Sequence, residues 1–294
     1  MTITKYYDIA SHRIALTIDD ALLRKMRNYT PFEVAEDNSE AVSSALAFEL
    51  KVNEGPTTIE GFSEEWCQDD EATEIVCGSV GTSPAFLFRW HTVTSGCLIC
   101  SQDYSRALLT FKGRYAHSAI DNAMMVLFAL STAGKGTLLF HSSTVCHGGI
   151  AYMFLGPSGT GKSTHSKLWL ENIDDTQLIN DDNPALRCNT DGTITVYGTP
   201  WSGKTPCYKN VAYPLGAIIH LAQATENRIR RVKGIKAYVI LSESVSGKRW
   251  EKRVADGLHS TLNLVLKKSS LWHLDCLPDA EAALTCRNAV CCQE

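Results

Sequence analysis

The sequence lacks an apolar run long enough to cross a lipid bilayer. Its longest such stretch, AMMVLFAL at residues 123–130, has eight residues, whereas a membrane-spanning helix needs about 20. The first residues, MTITKYYDIASHRIALTI, also lack the apolar core of a secretory signal. We therefore expect a cytoplasmic protein with no membrane partner.

Concentrated positive charge is missing as well. The chain has 28 Lys and Arg residues against 32 Asp and Glu, which gives a formal net charge of −4 at pH 7. The densest basic cluster, RIRRVK at residues 228–233, is short. Because non-specific binding to nucleic acid or to anionic lipid relies on concentrated Lys and Arg, this balance argues against both as partners.

Paired cysteine motifs are scarce, although the chain has 11 cysteines. Cys97 and Cys100 form one C-x-x-C, and no second pair at similar spacing completes the ligand set of a structural zinc site. An odd number of cysteines in a long chain without an export signal favours reduced thiols packed as small hydrophobic side chains. We therefore expect neither a metal site nor a redox role here.

The sequence does contain a change of periodicity near residue 113. Before it lie the short β-favouring segments RIALTI, AFELKV, TEIVCGSV, AFLFRWHTV, GCLICS and ALLTF. EDNSEAVSSA and FSEEWCQDDEATE are interpreted as acidic connectors. After it, YAHSAIDNAMMVLFALSTAG has apolar residues at helical spacing. We predict a β-rich N-terminal domain of unknown role at residues 1–112 and a second domain at residues 113–294.

Strands and helices alternate in the second domain. The predicted strands are TLLFHSS, IAYMFL, TQLIN, DGTITVYG, YPLGAIIHLAQA and LWHLDC, and the predicted helices are STHSKLWLEN, WEKRVADGLHSTLNLVLKK and PDAEAALTCRNAV. This alternation is typical of an α/β domain. The fold class predicted from the sequence is therefore α/β, with a β-rich N-terminal part.

The segment GPSGTGKST follows the apolar strand IAYMFL and precedes a predicted helix. Gly156, Gly161, Lys162 and Ser163 match G-x-x-x-x-G-K-[ST], the P-loop or Walker A pattern. In such a loop the backbone amides and a helix N-terminus point at one anion. The candidate nucleotide-binding residues are Gly156, Ser158, Gly159, Thr160, Gly161, Lys162, Ser163 and Thr164. The alternative is a turn that only joins strand to helix.

Two adjacent carboxylates follow the next predicted strand. Asp181 and Asp182 end the segment LINDD, eighteen and nineteen residues after Ser163. If this strand runs parallel to the one before the loop, both carboxylates lie at the same sheet edge as the loop. Phosphoryl transfer needs a metal and a base or orienting group beside the phosphates, and two carboxylates can supply them. The alternative is that DDNP is simply a turn.

These features together resemble a known family. His141 in LLFHSS, fifteen residues before Gly156, the loop GPSGTGKST and the pair in LINDD are similar to motifs of the HPr kinase/phosphorylase catalytic domain. The fold of that domain is related to that of ATP-dependent phosphoenolpyruvate carboxykinase. The resemblance covers residues 135–190. It implies ATP and Mg²⁺ as cofactors, with Lys162 on phosphate, Ser163 and Asp182 on the metal, Asp181 as general base and His141 assisting it. It also implies that copies of the chain can form a homo-oligomer.

The chain departs from that family after the acidic pair. HPr kinases carry a metal-binding glutamate there, whereas YGTPWSGKTPCYKN at residues 197–210 has no acidic residue, and the family's C-terminal arginine signature is missing. The segment TPWSGK is similar to that of relatives that phosphorylate other hydroxyls, and Lys204 within it can offset charge on the transferred group. We predict a kinase that acts on a hydroxyl of a protein, peptide or small molecule. The alternatives are a non-catalytic nucleotide-sensing module and a carboxykinase-type enzyme.

Overall fold

The computed structural model describes residues 1–35, 46–70, 73–91 and 93–291. The chain forms two compact units, Met1–Thr132 and Ala133–Glu294. The division falls after Thr132, so the helix that follows residue 113 belongs to the N-terminal unit, although the predicted boundary at residue 112 assigned it to the second domain. The predicted connector EDNSEAVSSA, at residues 36–45, lies outside the described residues.

The N-terminal unit is built on one large sheet. Its described strands are β1 (Thr2–Ile9), β2 (His12–Asp19), β3 (Glu33–Val34), β4 (Phe48–Glu54), β5 (Phe62–Asp70), β6 (Thr73–Val80), β7 (Ser83–Trp90), β8 (Val93–Cys100) and β9 (Arg106–Phe111). Their order is β3-β1-β2-β4-β9-β8-β7-β6-β5. The pairs β2-β4 and β4-β9 are parallel, and the other neighbours are antiparallel.

One long helix covers this sheet. The helices of the unit are α1 (Asp20–Leu23), a 3-10 helix at Arg27–Phe32 and α2 (Ala116–Thr132). The apolar face of α2 packs against β4, β7, β8 and β9. A Cβ atom at Gly96 of β8 would lie 2.7 Å from the Cβ of Ala119, so only glycine allows α2 to approach this closely. The apolar residues at helical spacing in YAHSAIDNAMMVLFALSTAG therefore form the face of α2 that packs against the sheet.

The interpretation of FSEEWCQDDEATE as a connector is wrong. Most of this segment forms β5, the terminal strand of the sheet, which pairs antiparallel with β6. Its described side chains are mostly exposed. Because an edge strand with little buried surface needs no alternation of apolar residues, its composition resembles that of a loop.

The C-terminal unit is α/β, which confirms the predicted class. Its described strands are β10 (Thr137–Leu139), β11 (Ser143–His147), β12 (Ile150–Leu155), β13 (Thr176–Asn180), β14 (Ala185–Cys188), β15 (Ile194–Tyr197), β16 (Ala212–Gln223), β17 (Arg228–Val232) and β18 (Ser270–Cys276). Its helices are a 3-10 turn at Ala133–Lys135, α3 (Lys162–Asn172), α4 (Gly234–Glu243), α5 (Lys252–Lys268) and α6 (Ala280–Cys291).

Strand β16 organises the second sheet. The order is β10-β14-β15-β16-β12-β11-β13, and β18 pairs with both β16 and β17. The first residues of β16 pair antiparallel with β15, whereas the rest pair parallel with β12 and β18. A cluster of buried side chains that includes Phe154, Trp169, Ile219 and Leu274 fills the space between this sheet, α3 and α6.

The main differences from the predicted elements are local. TLLFHSS was predicted as one strand, but the chain breaks between β10 and β11, and His141 lies in the break. Strands β14 and β17 and helix α4 were not predicted. Within the described ranges, none of the helices combines the length and the hydrophobicity required to cross a membrane.

Candidate functional site

Three segments of the C-terminal unit meet at one edge of its sheet. Strand β11 runs antiparallel to both β12 and β13, so β12 and β13 run in the same direction. The register pairs Ser143 with Phe154 and Thr144 with Asn180. The start of β11 therefore lies beside the ends of β12 and β13. This arrangement brings His141, the loop after Leu155 and the Asp181–Asp182 pair together.

The loop between β12 and α3 has the backbone that its glycines allow. Gly156, Gly159 and Gly161 have φ angles of 150°, 77° and 104°, which are costly for other residues. Gly161 is the N-cap of α3 and makes no side-chain cap hydrogen bond, since glycine has no side chain. The first amides of a helix have no acceptor within the helix itself, so such an end is suited to an anion. Gln223, at the end of β16, donates through Nε2 to the Gly159 carbonyl oxygen at 3.1 Å and so fixes the loop tip.

The predicted phosphate-binding side chains differ in exposure. Lys162 is buried, with 8% of its surface exposed. Ser158, Ser163 and Thr164 are exposed. The Thr160 hydroxyl donates to the Pro157 carbonyl oxygen at 2.7 Å and so braces the loop from within. Two hydroxyls at the start of α3 therefore reach solvent directly beside a buried ammonium group.

The Lys162 ammonium group links the loop to the break before β11. Its Nζ donates to the carbonyl oxygens of Gly156 at 2.9 Å and Pro157 at 3.2 Å, and to His141 Nε2 at 2.9 Å. An ammonium group has only donors, so Nε2 accepts and the imidazole proton is on Nδ1. His141 Nδ1 lies 2.9 Å from Asp182 Oδ1 and donates to it. In this arrangement His141 is neutral and connects Lys162 to Asp182.

Asp182 is therefore the acid that His141 contacts. Its Oδ2 also accepts from Asn183 Nδ2 at 2.6 Å. The resemblance implied that His141 assists Asp181, but the structure joins His141 to the neighbouring carboxylate. Both oxygens of Asp182 accept one hydrogen bond, and each retains a second lone pair for a cation.

Asp181 is the buried member of the pair, with 6% of its surface exposed. Its Oδ1 accepts from the Ser143 hydroxyl at 2.8 Å, and Ser143 Oγ lies 2.6 Å from Ser166 Oγ on α3. Its Oδ2 is buried and has no hydrogen-bond partner among the described residues. A buried carboxylate oxygen without a partner is costly. It is therefore the atom at which a proton or a cation from a ligand would be most stabilising.

Asn180 holds the turn that carries both acids. Its Oδ1 accepts from the backbone amides of Asp182 and Asn183, both at 2.8 Å. Its Nδ2 donates to Thr199 Oγ1 at 3.1 Å and to the Trp201 carbonyl oxygen at 3.0 Å. Asn180 is fully buried. One amide side chain thus shapes the acidic turn and attaches it to the segment TPW.

The segment that contains Lys204 packs against this turn. A Cβ atom at Gly203 would lie 3.1 Å from the Asp181 carbonyl oxygen and 3.3 Å from Asp182 Cβ, so only glycine fits comfortably here. Lys204 follows immediately, and its side chain is exposed. The backbone at Lys204 is therefore close to the acids, whereas its charge is in solvent.

Four residues around the site were not predicted from the sequence: Ser143, Ser166, Asn180 and Gly203. The Asn immediately before the Asp pair was the available signal, because Asn side chains commonly accept from the backbone amide two residues on. Ser143 and Ser166 gave no such signal, since their contact depends on the register between β11 and α3.

Two other titratable groups, one in each unit, have shifted pKa values and structural contacts. His165 on α3 is buried, its Nε2 accepts from Trp169 Nε1 at 3.1 Å, and burial lowers its pKa to about 4. In the N-terminal unit, Cys97 of the C-x-x-C donates to the Thr57 carbonyl oxygen, and burial raises the pKa of this thiol to about 11. These groups stay neutral near pH 7, in agreement with the expectation of packed thiols for Cys97.

The donor set fits Mg²⁺ better than a metal held by protein ligands alone. Within the described residues, no cluster of three His, Cys, Asp or Glu side chains is arranged to hold a metal ion. Mg²⁺ is usually bound through one or two carboxylates together with substrate phosphates and water. Asp182, oriented by His141 and Asn183, and the exposed Ser163 hydroxyl are candidates for such a partial set.

Comparison with known proteins identifies no relative by sequence. No protein-family model matches the chain, and no curated protein matches it. Among solved structures, the chain is similar to the HPr(Ser) kinase/phosphatase from Coxiella burnetii, with 10% identity over 52% of this chain and 93% of that chain and a TM-score of 0.31. At this TM-score the likeness carries no weight for the site, whose chemistry depends on the contacts described above.

Proposed function

We propose that this protein is an ATP-dependent, Mg²⁺-dependent phosphotransferase that moves the γ-phosphoryl group to a hydroxyl, with a P-loop domain of the HPr kinase type in its C-terminal unit. The observation that carries the proposal is the unpaired, buried Oδ2 of Asp181. It belongs to a carboxylate that is linked to Ser166 of α3 through the Ser143 hydroxyl. A base beside a phosphate-binding helix end is the arrangement that phosphoryl transfer requires.

The triphosphate would bind at the start of α3. The amides of the first turn of this helix, the amides of the glycine loop and the Lys162 ammonium group would together supply donors for phosphate oxygens. Lys162 now donates to carbonyl oxygens of Gly156 and Pro157. Phosphate oxygens carry more negative charge than those carbonyls, so they are the stronger acceptors for the ammonium group. Binding would therefore exchange these two contacts for phosphate while the bond to His141 positions the lysine.

Ser163 and Asp182 would hold the metal. Ser163 presents its hydroxyl to solvent at the first turn of α3, and Asp182 is oriented by His141 and Asn183. A bound Mg²⁺ would neutralise charge on the phosphate oxygens. The chain contributes by fixing the orientation of the Asp182 carboxylate. The imidazole of His141 is neutral in this arrangement, so it orients the carboxylate without a positive charge that would compete with the metal ion.

Asp181 would act as the general base. Ser143 holds Oδ1, so Oδ2 accepts the proton of the acceptor hydroxyl as its oxygen forms a bond to the γ-phosphorus. The bond from that phosphorus to the β–γ bridging oxygen breaks, and ADP leaves with the electron pair. Lys204, next to Gly203, can offset charge on the transferred group after a rotation of its exposed side chain. The acceptor would be a serine of a protein or peptide, or a small molecule.

Turnover of Mg-ATP in the presence of free serine, serine-containing peptides and other hydroxyl compounds tests this proposal. Asp181→Asn should lower phosphoryl transfer by at least about 100-fold, because a general base contributes roughly that much. Nucleotide affinity should change by less than about threefold. Asp175→Asn is the matched control, since Asp175 is an exposed acid just before the same strand β13, and Asn tolerates its φ of 54°.

Three outcomes would contradict the proposal. Equal activity of Asp181→Asn and Asp175→Asn would remove the assigned base. Tight nucleotide binding by the wild type, with no turnover on any hydroxyl offered, would favour the nucleotide-sensing alternative. Formation of phosphoenolpyruvate from oxaloacetate and the nucleotide would favour the carboxykinase-type alternative.

A further inference from the structure

A second concave site lies in the C-terminal unit, between α4, α5 and the strands β17 and β18. Its volume is about 660 Å³, within the range of small-molecule pockets, roughly 300–1,000 Å³. Arg231, Lys233, Tyr238, His259, Asn263 and Leu266 are among the residues that line it. We call it the α4–α5 cleft.

The cleft is separate from the glycine loop. It is lined by Ser270 and Leu271, which begin β18. Because β18 runs parallel to β16, and β16 runs parallel to β12, the start of β18 is at the opposite edge of the sheet from the end of β12. The phosphate-binding function proposed above therefore does not account for this cleft.

The charge lining the cleft has one sign. Arg231 and Lys233 line it, and among its described lining residues none is Asp or Glu. The chain as a whole has a formal net charge of −4, so this is a local reversal. The Arg231 guanidinium group lies 4.9 Å from the centre of the Trp272 ring, which packs against the cluster between the sheet, α3 and α6. This is the face of β18 opposite Leu271, so Lys233 is the positive group that a ligand in the cleft can contact. The cleft therefore favours an anion.

A row of polar side chains adds a second donor. Asn263 Nδ2 lies 3.0 Å from His259 Nε2, and His259 Nδ1 lies 3.0 Å from the Tyr238 hydroxyl. The Asn263 amide group donates, so Nε2 accepts and Nδ1 carries the proton. Tyr238 then accepts from His259 and keeps its own hydroxyl hydrogen for a ligand in the cleft. Lys233 and Tyr238 thus both donate.

The remaining surface of the cleft is apolar. Val232, Ile235, Ala237, Leu266 and Leu271 line it. Ile235 is 75% exposed, which is unusual for a large aliphatic side chain. A fully hydrated inorganic anion would leave this surface unused, whereas an organic anion with an apolar body would bury it.

We propose that the α4–α5 cleft binds a small amphipathic organic anion, with its carboxylate or sulfonate group on Lys233 and Tyr238 and its apolar body on Leu266 and its neighbours. This site is independent of the proposed phosphotransfer. The pairing of a few convergent polar groups with an apolar wall is the usual composition of a ligand pocket.

Two fluorescent probes test the proposal on the full-length chain. Anilinonaphthalene sulfonate is an aromatic anion, and phenylnaphthylamine is the same ring system without the sulfonate. Lys233→Glu should weaken binding of the sulfonate by about tenfold, because it replaces an attraction with a repulsion at short range. It should leave binding of the neutral probe within about twofold. Lys236→Glu is the matched control, because it makes the same charge change on the exposed first turn of α4, outside the lining.

A second pair of variants tests the apolar wall. Leu266→Ser should weaken binding of both probes by at least about fivefold, since it removes buried contact area. Leu264→Ser, on the same helix but outside the lining, should leave both unchanged. Equal effects of Lys233→Glu and Lys236→Glu on the sulfonate would overturn the proposal, because they would indicate a general electrostatic effect. Unchanged sulfonate binding in Lys233→Glu would overturn it as well, and this variant changes only an exposed side chain, so misfolding does not obscure the result.

Discussion

The N-terminal unit buries five polar or charged side chains among its described residues, whereas the C-terminal unit buries thirteen. The five occur at scattered positions, and Ser95 and Thr132, for example, donate to nearby backbone carbonyls. Nine of the thirteen lie near the edge where β11, β12 and β13 meet: Ser142, Ser143, Thr144, Lys162, Ser166, Asn180, Asp181, Asn183 and Thr199. Side-chain hydrogen bonds join several of them in small groups, such as Ser143 with Ser166 and Asp181. The two sheets are similar in size, but buried polar side chains are dispersed in the N-terminal unit and concentrated beside the glycine loop in the C-terminal unit.

This difference indicates that the loop edge of the C-terminal unit is where buried polar groups lower the stability of the fold. Burying a polar group costs free energy unless its hydrogen bonds are satisfied. In the N-terminal unit, Ser95 and Thr132 meet that need with hydrogen bonds to backbone carbonyls, and Asn28 donates to the Asp121 side chain. At the loop edge of the C-terminal unit, buried polar side chains bond to one another in small groups, and Asp181 Oδ2 has no partner among the described residues. Buried networks with one open acceptor are costly to maintain, and a ligand site is a physical reason to maintain one.

The two units should differ most in how much stability they lose when an Asx-turn side chain is replaced. Asn180 and Asp103 each accept from the amide two residues on, at 2.8 Å and 3.1 Å, but Asn180 is buried and Asp103 exposed. Asn180→Ala should lower the free energy of unfolding of the C-terminal unit by about 3 kcal/mol, because it leaves buried donors and acceptors unpaired. Asp103→Ala should cost the N-terminal unit much less, since water replaces the lost acceptor. Urea unfolding followed by hydrogen exchange in each unit measures both, and equal losses would contradict this account.

Histidines should give the two units opposite pH dependence. Burial lowers the pKa of His165 from 6.5 to about 4, so its contribution to stability is complete above pH 6.5 and is lost as pH falls towards 4. The free energy of unfolding should fall by about 3 kcal/mol over this range. His165→Gln keeps an acceptor for Trp169 and does not titrate, so this fall should be absent in the variant. The hydrogen bond to Asp121 raises the pKa of His117, so the contribution of His117 is present below pH 6.5 and is lost as pH rises.

Unfolding measured between pH 4 and pH 8 checks these signs. His165→Gln should flatten the acid side of the profile of the C-terminal unit. His117→Gln should reduce stability of the N-terminal unit on the acid side and have little effect at high pH. A profile of the C-terminal unit that keeps its full acid slope in His165→Gln would refute the assignment of that slope to His165.

The smallest expected difference between the units concerns two buried serines, one of which should affect kcat and the other only stability. Ser143→Ala removes the donor that fixes Asp181 Oδ1, so we expect kcat for phosphoryl transfer to fall about tenfold while KM for ATP stays within about threefold. Ser95→Ala removes a hydrogen bond to the Phe88 carbonyl oxygen and should lower stability by about 1 kcal/mol without changing kcat. Steady-state kinetics distinguishes them. An increase in KM alone in Ser143→Ala would show that the serine acts in nucleotide binding instead.

The elements predicted correctly from the sequence are those whose hydrophobic pattern shows which of their own side chains are buried. The segment TEIVCGSV was predicted as a strand and forms β6, and the helical spacing after Gly113 is confirmed by α2. The placement of the acids beside the loop depended on the condition that β13 runs parallel to β12, and the two strands do run in the same direction, with β11 between them. The interposed strand β11 was not foreseen as a separate element, because a break at His141 leaves no trace in hydrophobic periodicity.

The parts that sequence could not supply depend on non-local contacts. The pairing of His141 with Asp182 and of Ser143 with Asp181 is set by the register of β11 against its two neighbours. The acidic strand β5 was missed because an exposed edge strand has the composition of a loop. The catalytic roles of Asp181, His141, Lys162 and Lys204 and the metal role of Asp182 stay predictions.

Calorimetric titration of Mg-ATP into the wild type, Lys162→Ala and Lys167→Ala tests the central claim most directly. Lys162 is the buried lysine at the loop, whereas Lys167 lies on the same helix, is exposed and pairs with Glu171. We predict that the wild type and Lys167→Ala bind Mg-ATP equally, and that Lys162→Ala binds at least about tenfold more weakly. Equal affinity of all three proteins, or no binding by the wild type, would contradict the claim that this loop holds a triphosphate.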